Sequence, residues 1–153
     1  MKKKFKIIFL FLFLGACDYQ PIFSSKDFGF SISDIEIKNK NNLTNQIVRS
    51  LKKYNGFGEN RVYTIELSAK KNKDVAAKDS KGNIKTYRIN IVCDFKIYEK
   101  NEILKSKKIT KNFMFNNDSD KFKLRKYESK IDKNLIDEVI KDLILELYSS
   151  WDD

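Results

Sequence analysis

The sequence predicts an α+β fold, a two-layer sandwich with two helices packed on one face of a four-stranded, largely antiparallel sheet. Two patterns point to it. Apolar residues alternate with polar ones in four stretches, as half-buried strands require, and recur every three or four residues in two others, as amphipathic helices require. Their order is strand, helix, three strands, helix, and a length of 153 residues fits one such domain.

The first sixteen residues stand apart. Lys2, Lys3, Lys4 and Lys6 precede an unbroken apolar run over 7–14 and the small pair Gly15 and Ala16, the layout of a signal peptide over 1–16. As a helix, the uncharged stretch 7–16 reaches only ~15 Å, about half a bilayer's hydrocarbon core, so it is too short for a transmembrane anchor. Leu14-Gly15-Ala16-Cys17 has the form of a bacterial lipobox. The expected modification is a diacylglycerol thioether on Cys17 with acylation of its freed amine, and no other cofactor is expected. Acyl chains anchor by burying methylenes at ~0.8 kcal/mol each, and stable attachment takes more than one chain.

Residues 17–27 read as an extended, lipidated tether holding the only proline, Pro21. The domain then occupies 28–153. Its first strand spans 28–38, with apolar positions 28, 30 and 32 followed by 35 and 37. That change of phase near Ser33 and Asp34 predicts a bulge. Leu43, Ile47, Leu51 and Tyr54 lie at helical spacing, with Asn41 or Asn42 as cap and Gly56 beyond the end. Tyr63, Ile65, Leu67 and Ala69 alternate as a second strand. Ser80-Lys81-Gly82-Asn83 supplies turn chemistry before a third strand over 86–98. A turn over 99–102 leads to a fourth strand over 103–115, with Ile109, Phe113 and Phe115 on one side.

The last element is a helix over 122–150 capped by Ser119 or Asp120. One apolar row takes positions 131, 135, 139, 143, 147 and 151, and a second takes Ile136, Ile140, Ile144 and Tyr148. Two adjacent rows are wider than one sheet face covers, so the second row is a candidate docking edge for a partner.

Composition excludes several classes. The chain has no His, which removes the commonest general base and metal ligand, and no Ser-His-Asp set or Gly-rich phosphate loop is present, so no enzyme is expected. The formal charge of +10 comes from 31 basic residues of which only four are Arg, alongside a general excess of Lys, Asn and Ile. A biased codon supply explains that excess better than a nucleic-acid footprint does, so no nucleic acid is expected as partner. Without its signal the chain keeps a charge of +6. With Cys17 lipidated, Cys93 has no partner for a disulfide. Alternation with Ile91 and Phe95 turns it inward as an inert thiol.

Cys17 followed by Asp18-Tyr19-Gln20-Pro21-Ile22-Phe23 resembles the Cys-Gly-Phe/Tyr-x-Pro-Leu-Tyr start of the LPS-assembly lipoproteins, the LptE family, and the order of elements is similar over the mature chain. The resemblance implies an outer-membrane lipoprotein that assists assembly of, and plugs, the β-barrel of the lipopolysaccharide (LPS) transport system and contacts the lipid. Lysine ammonium groups suit the phosphates and carboxylates of LPS, and the densest basic cluster outside the signal is Lys105, Lys107, Lys108 and Lys111. Together with Arg88 these are the candidate LPS-binding residues. One position departs from the family: Asp18 stands where Gly is usual. In well-studied sorting systems an Asp there tends to retain a lipoprotein at the inner membrane, so the alternative is an inner-membrane periplasmic scaffold.

Overall fold

A computed structural model describes residues 29–55 and 61–149. The signal peptide, Cys17, Asp18 and the tether lie outside the described residues, as do Gly56 and position 151 of the first helical row.

Strand β1 (Phe30–Ile37) carries the bulge its phase change demands. Ile32 pairs with Tyr63 and Asp34 with Thr64, leaving Ser33 as the extra residue. The Ser33 hydroxyl donates to the Tyr63 carbonyl at 3.1 Å, a side-chain bond across the bulge. Helix α1 (Asn42–Leu51) begins with a reciprocal capping box. The Thr44 N–H donates to Asn41 Oδ1 at 2.9 Å and the Asn41 N–H donates to Thr44 Oγ1 at 3.0 Å. A short 3-10 turn (Lys52–Tyr54) then tucks Tyr54 under β1, stacked on Phe30.

Strands β2 (Arg61–Lys78), β3 (Ile84–Glu99) and β4 (Glu102–Asn116) form two long hairpins. The first turns at Asp79, whose carboxylate accepts from the N–H groups of Lys81 and Asn83, while Gly82 takes the left-handed φ of +83°. The second turns on Lys100 and Asn101, both at positive φ, as a two-residue connection between right-twisted strands requires.

The spatial order is β1-β2-β3-β4, with β1 parallel to β2 and the other two pairings antiparallel. The sheet is therefore mixed: the two long pairings are antiparallel as expected, and the β1–β2 pairing is the parallel exception. A helix between two neighbouring strands returns the chain to its starting end, so the second strand runs in the same direction as the first.

Helix α2 (Lys121–Ser149) starts at Asp120, whose carboxylate accepts from the N–H groups of Phe122 and Lys123. It runs back along β4. Tyr127 meets Phe115, Asp142 meets Lys111, and Glu146 meets Lys107 and Lys105. Each four-residue step along such a helix advances roughly 40° past a full turn, so the row from Ile131 to Leu147 winds about 160° around the axis. The buried surface winds with it, and near the C-terminal end it includes both rows. Ile136, Ile140 and Ile144 are all at most 3% exposed, and Tyr148 packs edge-on against Phe30. The second row is therefore core rather than a docking edge, because α1 lies beside α2 and brings Leu43, Ile47 and Leu51 into the same cluster.

The core joins these helix residues to the odd positions of β2 and β3, namely Tyr63, Ile65, Leu67 and Ala69 with Ile89, Ile91, Cys93, Phe95 and Ile97. Ile109 and Phe115 complete it from β4. Phe113 shares their side of the strand but stays 42% exposed on the sheet's edge.

Candidate functional site

The lysines of β4 divide by parity. Lys105, Lys107 and Lys111 share the odd positions of Ile109 and Phe115, so they rise toward α2, whereas Lys108 points to the opposite side. The three that rise are already engaged. Glu146 holds Lys105 at 2.7 Å through Oε2 and Lys107 at 2.5 Å through Oε1, and Asp142 holds Lys111 at 2.7 Å. Lys105 and then Lys107 keep the Glu146 carboxyl below the usual glutamate range, against a smaller opposing effect of burial.

The same pattern recurs on the other flank of α2. Lys71 binds Asp132 at 2.6 Å, and Lys73 binds Glu128 while lying 4.2 Å over the Tyr87 ring. Helix carboxylates meet strand ammoniums on both sides, so these lysines tie the layers together. Asp142 and Glu146 belong to that seam. Asp137 and Glu138 remain exposed.

The remaining two candidates lie on the opposite face of the sheet. Lys108 is 67% exposed, with Asp94 at 3.6 Å, a spacing and exposure at which an ion pair contributes less than about 1 kcal/mol. Arg88 is exposed and stands in register between Asp74 on β2 and Met114 on β4, with Nη2 at 3.9 Å from the Met114 sulfur. These three residues line a cleft of about 330 Å³ with Asn90 and Asn112. Asn72, Asn90 and Asn112 occupy one cross-strand row beside it. Sequence reasoning missed this polar row, since it emerges only when both hairpin registers are fixed. Its signal was an amide at an even, outward position of each strand.

Further along the same face, Glu66 accepts from Lys96 at 3.0 Å, Lys38 at 3.1 Å and the Tyr98 hydroxyl at 3.2 Å. Lys96 first, then Lys38 and Tyr98, hold the Glu66 carboxyl below its ordinary range. This cluster ties the residue just after β1 to β2 and β3 and uses its charge internally.

Cys93 is fully buried and unpaired, and burial pushes its thiol up to about 12, with the neighbouring Asp94 adding to the effect. Among the described residues no group of three His, Cys, Asp or Glu side chains is placed to hold a metal ion, and no helix is long and apolar enough to cross a membrane.

No protein-family model matches the sequence, and no curated protein does. Solved structures do match. Rare lipoprotein B from Shewanella oneidensis superposes with a TM-score of 0.55 at 18% identity, covering 80% of this chain and 95% of that one. The chain shares the fold of bacterial lipoproteins. A minor lipoprotein from Acinetobacter baumannii gives 0.56 at 15% identity over 76% of this chain and 89% of its own. Lipoprotein B from Nitrosomonas europaea gives 0.56 at 11% identity, covering 75% and 80%.

Proposed function

We propose that this chain is an outer-membrane lipoprotein, anchored by acyl chains on Cys17, that assists assembly of and plugs the β-barrel of the LPS transport system and binds LPS during its insertion into the outer leaflet. The observation that carries this reading is the shared fold, which spans nearly the full length of two solved bacterial lipoproteins, in a chain whose own start reads Leu14-Gly15-Ala16-Cys17. In this reading both helices form one layer over the sheet and the other face looks toward partner and lipid.

Of the five candidate lipid contacts, Lys105, Lys107 and Lys111 are committed to α2 carboxylates, which leaves Arg88 and Lys108 on the open face for phosphates or sugar carboxylates, with the Asn72, Asn90 and Asn112 amides beside them for hydroxyls. The protein acts by binding alone.

Depleting the chain from cells tests the proposal. The folded barrel and surface LPS should both decline, and the double variant Arg88→Glu, Lys108→Glu should restore the barrel but not normal LPS delivery. Unchanged barrel and LPS after depletion contradict it. Asp18 favours a second reading, an inner-membrane scaffold, under which depletion leaves the barrel intact.

A further inference from the structure

β1 covers only part of the strand it pairs with. The register runs from Phe30 opposite Arg61 to Ile37 opposite Leu67, and the last backbone rung is Lys38 N–H to the Leu67 carbonyl at 2.9 Å. One residue pair further on, side chains replace the strand. Asn39 Nδ2 donates to the Ala69 carbonyl at 2.7 Å, the Ala69 N–H donates to Asn39 Oδ1 at 2.9 Å, and Asn41 Nδ2 reaches the same carbonyl at 2.9 Å. The asparagines finish the ladder as one more strand residue would. The β2–β3 register is unbroken from Ala69 to Val75, so the two-residue period aims the N–H and C=O groups of Lys71, Lys73 and Val75 toward the same side as those of Ala69. Among the described residues nothing pairs with them there.

Edge strands are ordinarily blunted by lysines that stand out from the edge. Here Lys71 and Lys73 are turned onto α2 by Asp132 and Glu128, so their charges leave the edge unscreened. Level with Lys70 and Lys71, a cleft of about 460 Å³ opens between α1, α2 and β2, lined by Leu43 and Ile136 together with the polar Asn42, Gln46 and Asp132, the last already paired with Lys71. A strand laid along the edge would place a side chain in it. Lys70 and Lys78 flank the edge and have no carboxylate partner among the described residues.

We propose that the edge of β2 at Lys71, Lys73 and Val75, unpaired among the described residues, binds an extended acidic segment of a partner protein by strand addition. The backbone groups supply the hydrogen bonds, the cleft takes one side chain, and Lys70 and Lys78 select for negative charge. A second copy of this chain is the poorer occupant, because an isologous pairing would set the same lysines against each other.

The test uses the lipidated chain in detergent and a synthetic peptide of about six alternating Val and Glu residues. This peptide should slow hydrogen exchange at the Lys71, Lys73 and Val75 amides by about tenfold or more, and the protection should fade as salt rises from ~0.05 to ~0.5 M. A Lys-for-Glu peptide and an N-methylated acidic peptide should give none. Val75→Pro removes one edge donor in a way edge strands tolerate and should abolish protection. Lys70→Glu, a surface change that leaves the fold alone, should invert the peptide preference. Equal protection by the lysine peptide, no protection by the acidic one, or dimerisation through this edge without peptide would each overturn the proposal.

Discussion

Ile144→Ala is the sharpest test of how α2 is seated. Ile144 is fully buried on the row that periodicity places outside the sheet's cover, one residue from Leu143 on the inner row and from Leu145, which is 47% exposed. The substitution removes three carbons. At ~0.8 kcal/mol per buried methylene the transfer loss is about 2.4 kcal/mol, and incomplete collapse of the cavity raises it to about 3–4 kcal/mol. For a domain of this size each kcal/mol lowers Tm by roughly 4 °C, so a fall of about 12–16 °C is expected. Leu143→Ala should match it, whereas Leu145→Ala should stay within about 0.5 kcal/mol of the parent. Urea unfolding of the unlipidated mature chain, followed by circular dichroism, measures all three. A loss below about 1 kcal/mol at Ile144, beside a full loss at Leu143, would refute the burial of both rows and return the second row to the surface.

Cys17→Ser should leave an unprocessed precursor without lipid, and equal fatty-acid labelling of the variant and its parent would remove the anchor. Cys93 should resist thiol reagents until denaturant is added. Its folded thiol stays neutral up to about 12 while the unfolded one ionises near 9.0, so its contribution to stability is complete below the lower value and is lost as pH rises between them. Rapid native labelling at neutral pH would mean that β3 is in the wrong register. Glu146→Gln should lose at most about 1 kcal/mol at neutral pH, because its lysine partners are partly solvated. The folded carboxyl titrates below its ordinary value of 4.5, so the gap from the parent should close as pH falls through the folded pKa, and a gap that persists in acid would show that the loss is not electrostatic.

Local features were legible in the sequence because local chemistry decides them. The phase slip at Ser33, the asparagine cap of α1, the turn at Gly82 and the inward Cys93 each follow from a few adjacent residues, and each stands where it was expected. What was not legible depends on where a distant element lands. Ile136, Ile140 and Ile144 look spare until α1 is known to lie against them. The Lys-rich half of β2 beyond Ala69 lacks strand alternation, yet its pairing with β3 carries it to Lys78. Lys105, Lys107 and Lys111 look like a ligand patch until α2 runs back over β4 and sets Asp142 and Glu146 above them. The direction of β1 likewise follows from the crossover rather than from its own residues.

The most direct measurement is which protein accompanies the full-length lipidated chain when it is purified from detergent-solubilised membranes. A large outer-membrane β-barrel recovered at about one copy per copy, together with LPS and in the outer-membrane fraction, is the result the proposed function requires. Recovery from the inner membrane with a different complex and no barrel would contradict it.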